Sequence, residues 1–338
     1  MAAITFFELD QFGLGDKKDY IKEHLKKHNI TFVNEQLTEK TALKAKDSDA
    51  IAFFIYSKVN DSLLSKMPKL KLAATMSTGF DHVDTAACKK KKVTACNVPA
   101  YGENTVAEHA IGLLLTISRK IIPSVEQTRK GNFELTGLRG FDLKGKTIGI
   151  LGTGRIGRHM AHYAQAFGMT VIAYDAFPNE ALAKECKFSY VPLDELFKQS
   201  DVISVHLPEN KDTHHIINTK NVRNIKKGCV LINTARGGLV ETEALLVGLK
   251  EGIFSALGLD VLEEECAIKE EPQLLHETFQ KTCDLKTLLE EHMLLEMPNV
   301  YITPHNAFNS TEALMRILDT TIDNLNSFFE GVPKNTIG

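Results

Sequence analysis

Short apolar runs rich in Val, Ile, Leu and Ala alternate with longer polar or helical stretches along almost the whole chain, the pattern of βα units around parallel sheets. In the first hundred residues these runs predict strands near Ile4–Glu8, Ala50–Ile55, Leu70–Met76 and Val93–Asn97. A second series falls near Thr147–Leu151, Thr170–Tyr174, Val202–His206, Cys229–Asn233, Ala256–Asp260 and Val300–Thr303. Two α/β lobes are expected. Between them, Thr105 followed by Glu108 reads as a capping box ahead of a long apolar helix. Its apolar positions, from Val106 to Ile117, cover more than one face, so it should be buried on several sides, either in its own chain's core or against a second subunit. Glu263–Pro298, rich in Glu, Leu and Lys, reads as a helical excursion between two strands.

Composition narrows the class. Apolar residues are 43% and charged residues 25% of 338, which excludes disordered, collagen-like and disulfide-scaffold chains. With 40 basic against 43 acidic side chains the formal charge is −3, so no global field draws the chain to nucleic acid or an anionic membrane. The basic run Lys89–Lys92 reads as a solvated loop or helix end. A small-molecule partner is expected. Six cysteines show neither CxxC nor metal-finger spacing, so buried thiols in a reducing cytoplasm are expected and no metal site is. The N-terminus lacks a signal-peptide pattern and no apolar run reaches membrane-spanning length, which predicts a soluble, unexported, cytoplasmic protein.

The most specific local signal is KTIGILGTGRIG, in which an apolar strand runs directly into Gly152-Thr153-Gly154-Arg155-Ile156-Gly157 and then into a helical pattern. Gly152 permits the tight turn, Gly154 lets backbone approach a pyrophosphate, and Gly157 lets helix and strand pack closely. The helix N-terminus adds free N–H groups and a partial positive charge. Asp175 stands 18 residues after Gly157 at the end of the next strand, where a carboxylate accepts from ribose hydroxyls and repels a 2′-phosphate. NAD is therefore the expected cofactor.

A dinucleotide names no reaction. The chemistry must come from polar groups at later strand ends, where ligands of doubly wound sheets bind. Arg236 follows one strand, Glu265 follows SALGLDV, and His305 follows VYITP. A hydride acceptor needs a cation to hold the substrate and a proton shuttle beside it.

The ordered blocks STGFDHVD, VPAYGENTVAEHA, LGTGRIG, DVISVHLP, INTARGG, GLDVLEEE and ITPHNAF resemble, over nearly the whole chain, the D-isomer-specific 2-hydroxyacid dehydrogenases, most closely their NAD-dependent D-lactate dehydrogenase branch. That resemblance implies two Rossmann-like or flavodoxin-like doubly wound parallel-sheet domains with an active-site cleft between them. Residues 101–305 would form the NAD-binding domain, and 1–100 with 306–338 a discontinuous substrate domain. It also implies His305 as acid/base, Glu265 as a carboxylate partner favouring the imidazolium, and Arg236 as a bidentate clamp on the 2-oxo or 2-hydroxy acid. Thr78, Gly79 and Tyr101 would meet the substrate. Arg155, Ile156, Leu207, Pro208, Thr213, Thr234, Ala235 and Asp260 would meet the cofactor, with Pro208 and Thr213 equally readable as turn residues. Phe54, Tyr56 and Phe308 suggest a small aliphatic substituent, and Cys266 reads as an inert thiol. The resemblance therefore predicts reversible hydride transfer between NADH and pyruvate by a homodimer joined through the 101–120 region. A dehydrogenase for a bulkier D-2-hydroxy acid and an NAD-sensing corepressor remain the alternatives.

Overall fold

Strands built from Val, Ile, Leu and Ala at consecutive positions can be buried on both faces, which suits parallel sheets covered by helices on each side. The computed structural model describes residues 1–263 and 285–338. It forms two units, Met1–Tyr101 with Asn309–Gly338, and Gly102–Phe308. Glu265, Cys266, Cys283 and most of the predicted excursion lie outside the described residues; its last part is the helix Leu285–Leu295.

The first unit holds β1 (Ala3–Phe7), β2 (Asn29–Val33), β3 (Ala50–Phe53), β4 (Leu72–Thr75), β5 (Thr94–Cys96) and β13 (Thr336–Ile337). Their order is β13-β5-β4-β3-β1-β2. All pair in parallel except β13, which returns antiparallel on the edge of β5. The order reverses between β1 and β3, making that crevice the unit's topological switch point. Phe7, Ile51, Phe53 and Ala73 are buried in the core of one face.

The second unit holds β6 (Thr147–Leu151), β7 (Thr170–Tyr174), β8 (Ser189–Tyr190), β9 (Val202–Val205), β10 (Cys229–Asn233), β11 (Phe254–Leu259) and β12 (Val300–Ile302). The sheet runs β12-β11-β10-β9-β6-β7-β8 and is parallel throughout. Its chain reverses direction of travel between β6 and β9, the arrangement of a dinucleotide-binding sheet. Alternate residues feed two cores: Ile148, Ile150, Val230 and Ile232 on one face, Leu151, Ile203, Val205 and Leu231 on the other. Each such side chain contributes roughly 1.5–3 kcal/mol by its burial.

One sequence expectation changes. The capping box is not formed: the helix Glu103–Ser118 begins two residues before Thr105, with Gly102 at its N-cap, and Thr105 is buried inside it. Glu103 takes the first turn because the helix dipole favours an acid there and because its carboxylate meets Arg155 at 3.4 Å and Arg158 at 3.1 Å. The several-sided burial of this helix is met by its own chain, since Ala110, Leu113, Leu114 and Ile117 pack with the β6–β11 core and the helix Arg155–Ala166. Exposed apolar side chains fall instead on Ile121, Ile122, Val125, Phe133 and Leu135. Among the described residues no helix is long and apolar enough to cross a membrane.

The described thiols Cys88, Cys96, Cys186 and Cys229 are all buried and free. Burial pushes Cys88 up to about 11 and Cys96 up to about 12, which makes both poor nucleophiles.

Candidate active site

β6 delivers the chain into a turn that only glycine fits. Gly152 has φ +93°, and a Cβ there would lie 2.9 Å from the backbone of His206 and Leu207 at the end of β9. At Gly157 a Cβ would stand 2.0 Å from the Gly152 carbonyl oxygen, whereas Gly154 has no atom within 4 Å of that position. The turn is thus closed on the protein side and open at its middle glycine. Gly154 caps the helix Arg155–Ala166 without a side-chain hydrogen bond, so the first-turn N–H groups, Ile156 among them, keep their donor capacity for an anion.

Asp175, just past β7, accepts from Thr153 N (2.8 Å) and Thr153 Oγ1 (3.0 Å) on one oxygen and from Phe177 N (3.0 Å) on the other. The carboxylate is locked beside the glycine turn and retains acceptor capacity for a ribose. Arg155 is exposed and turned toward Glu103.

The neighbouring strand ends carry orphaned polar atoms. Thr234 Oγ1, after β10, is buried without a partner, and so is His206 Nδ1, after β9. His206 Nε2 is bound to Ser204 Oγ at 2.8 Å, and burial holds its pKa down at about 4, so the ring is neutral. Leu207 is buried. Thr213 donates to the Pro208 carbonyl (2.6 Å) and accepts from Asn210 N (2.9 Å), so its hydroxyl closes the 208–213 turn. An open glycine, a helix N-terminus without a side-chain cap, a fixed carboxylate and two buried polar atoms without partners together fit a dinucleotide.

Arg236 follows β10 in extended backbone, half-buried, with Nη1 donating to the Ala235 carbonyl at 2.8 Å. Asn233, which the sequence reading passed over, holds this turn: its side chain accepts from Ala235 N and donates to the Arg236 carbonyl at 2.9 Å. Glu263, the last described residue after β11, accepts from His215, Thr242 N and Thr242 Oγ1.

His305 follows β12 with φ +51°, left-handed for a non-glycine residue. Asp260, expected to meet the cofactor, is 1% exposed, and both its oxygens accept from the 303–307 turn. It builds the turn that presents His305. His109 stands beside it, a residue the sequence reading left inside an apolar helix.

In the first unit, Thr78 Oγ1 donates to the Val98 carbonyl (2.8 Å), and Asn97 Nδ2 donates to the Thr78 carbonyl (2.8 Å). Gly79 is fixed by Ser77 Oγ on its carbonyl (2.7 Å), and Tyr101 by Arg316 Nε on its own (2.6 Å). Phe54, after β3, is buried and stacked on Phe12 with ring centroids 3.8 Å apart; Tyr56 stacks on the same ring at 5.7 Å.

Residues 111–307 match the family model described as D-isomer specific 2-hydroxyacid dehydrogenase, NAD binding domain. A 2-hydroxyacid dehydrogenase homolog of Zymomonas mobilis is 39% identical over 301 residues, 88% of each chain. The D-lactate dehydrogenase of Escherichia coli is 35% identical over 326 residues, covering 93% of this chain and 95% of that one. Among solved structures, D-lactate dehydrogenase from Aquifex aeolicus complexed with NAD and lactic acid superposes with a TM-score of 0.82 at 37% identity, over 97% of this chain and 96% of that one.

Proposed function

The chain belongs to the D-isomer-specific 2-hydroxyacid dehydrogenases, NAD-dependent oxidoreductases, and we propose that within that family it is a cytoplasmic D-lactate dehydrogenase reducing pyruvate. The observation that carries the reading is the placement of Arg236 and His305 just past β10 and β12, in the sheet whose β6 end bears the glycine turn. Bound there, NADH supplies the hydride. Arg236 offers a permanent planar cation to the substrate's carboxylate and carbonyl oxygens. His305 gives a proton to the carbonyl oxygen as C2 is reduced, and takes it back in the reverse direction. Glu265 is assigned as the carboxylate that favours the protonated imidazole, and the main chain at Thr78 and Gly79 with the Tyr101 hydroxyl as further substrate contacts. The packed rings of Phe12, Phe54 and Tyr56 support a small substituent such as methyl. A homodimer is proposed through the helix Glu103–Ser118 and the exposed apolar run that follows it.

Mixing the protein with NADH and pyruvate and determining product chirality tests the assignment: D-lactate is expected, and L-lactate or no turnover of any 2-oxo acid sinks it. A panel of 2-oxo acids ranked by kcat/KM separates lactate from a bulkier acid, and fast steady-state turnover rejects a corepressor. His305→Ala is expected to lower kcat by about 10²–10⁴-fold with NADH binding retained.

A further inference from the structure

We propose that His109 is a positioning residue for proton transfer at His305, acting through Thr303 and Asp260; the inference rests on the acid/base role assigned to His305 above. The His305 backbone N–H donates to the carbonyls of Asp260 and Thr303, both at 2.9 Å, and its left-handed conformation persists only if its neighbours determine it. A single buried carboxylate does so. Asp260 Oδ1 accepts from Thr303 Oγ1 (2.5 Å) and Asn306 N (2.9 Å), and Oδ2 accepts from Ala307 N (2.8 Å), so the chain on both sides of His305 is tied to one side chain.

His109 completes that arrangement. The Thr303 hydroxyl has one proton, and it goes to Asp260; the oxygen then faces His109 Nε2 at 3.0 Å as an acceptor. His109 must therefore carry its proton on Nε2 and donate, which fixes its tautomer. The same Nε2 lies 3.5 Å from Asp260 Oδ1. The chain His109 N–H to Thr303 O–H to Asp260 carboxylate thus points two aligned donors at a carboxylate with almost no contact with water. His109 itself is held rigidly, because Ala107, Ala110, Leu114 and Ile117 root its helix in the core. Without its donor, Thr303 has an unpaired acceptor and Asp260 loses support, so the turn bearing His305 gains freedom.

The experiment is steady-state kinetics of pyruvate reduction on four variants of the full chain, with NADH binding followed by fluorescence. His109→Leu should lower kcat about ten- to a hundredfold while NADH affinity is unchanged, since a displaced proton donor impairs the chemical step and leaves cofactor binding alone. His109→Gln, whose amide can donate to Thr303, should restore most of the rate. Thr303→Val should reproduce the loss through a different residue, and combining it with His109→Leu should add little. The inference is overturned if His109→Leu keeps kcat within about twofold of the parent, if Gln serves no better than Leu, or if the two losses multiply. Should His109→Leu not fold, Thr303→Val against Thr303→Ser decides the same question. An active His305→Ala would fail the underlying reading instead, whereas an inactive one beside an unimpaired His109→Leu fails only this inference.

Discussion

The turn after β6 and the turn after β12 both place backbone in the left-handed region, and they reach it in opposite ways. At Gly152, φ +93°, the conformation costs nothing because there is no side chain, and the space a Cβ would need is filled by the end of β9. At His305, φ +51°, a side chain is present and the strain of about 1–2 kcal/mol is offset by bonds to Asp260 and Thr303. A turn that only has to admit a phosphate can be made by removing atoms. One that has to aim an imidazole needs added contacts, and the carboxylate that ties the turn together, Asp260, lies 45 positions away. The first unit holds a third solution: Glu8, φ +65° at the end of β1, is pinned by its own side chain, whose Oε2 accepts from Ser57 Oγ (2.6 Å) and Phe54 N (3.1 Å) across the switch point to β3.

The glycine turn is most sensitive at Gly157. A methyl group there would sit 2.0 Å from the Gly152 carbonyl, which is backbone and has no rotamer to escape into. Gly157→Ala is expected to weaken NADH binding by roughly ten- to a hundredfold, the equivalent of about 1–3 kcal/mol of overpacking. NADH fluorescence titration reads this directly. Unchanged affinity would mean the turn tolerates side chains after all and is no more restrictive than the one at His305.

The support that Glu8's side chain gives depends on pH. The residue is fully buried, one carboxylate oxygen meets no partner, and burial raises its pKa above the ordinary 4.5, opposed by the bonds from Ser57 and Phe54. An acid whose folded-state pKa is raised favours folding while neutral. That contribution is complete below about pH 4.5 and is lost as pH rises through the raised value. Glu8→Gln keeps an acceptor and never ionises, so it should gain on the parent in urea-unfolding free energy as pH climbs from 4.5 toward neutrality. A difference that does not vary with pH would show that the carboxyl does not ionise over this range.

The same contrast explains what was legible in the sequence. The glycine turn, Asp175 and the strand ends bearing Arg236 and His305 could be read because a strand, a break and a polar residue are all local signals. β2 escapes the pattern because it is a short edge strand interrupted by the exposed polar residues Asn29 and Thr31, and β8 and β13 because two-residue strands exist only through their partners at β7 and β5. Asp260 can be read from the sequence only as a polar strand end facing the cofactor, because its bonds to the 303–307 turn reach 43 to 47 residues along the chain. His109 was hidden for the same reason in stronger form, since its hydrogen-bond partner lies 194 residues on and its helix has the pattern of a core element.

The smallest effect is expected at Lys120, which has φ +52°, almost the value at His305, in the link between the helices Glu103–Ser118 and Ile121–Arg129. Its backbone N–H makes one bond, 3.3 Å to the Ile117 carbonyl, and no side-chain cap bond accompanies it. Here the strain serves a helix-to-helix link, and no carboxylate cage like that of Asp260 surrounds it among the described residues. Lys120→Gly should therefore stabilise the protein by about 0.5–1 kcal/mol, the relief of left-handed strain less the added freedom of the unfolded glycine. The gain should appear as a higher urea midpoint at unchanged m-value, with kcat for pyruvate unaltered. A loss of stability instead would mean that Lys120, like Glu8, is held in its left-handed conformation by contacts its own side chain makes.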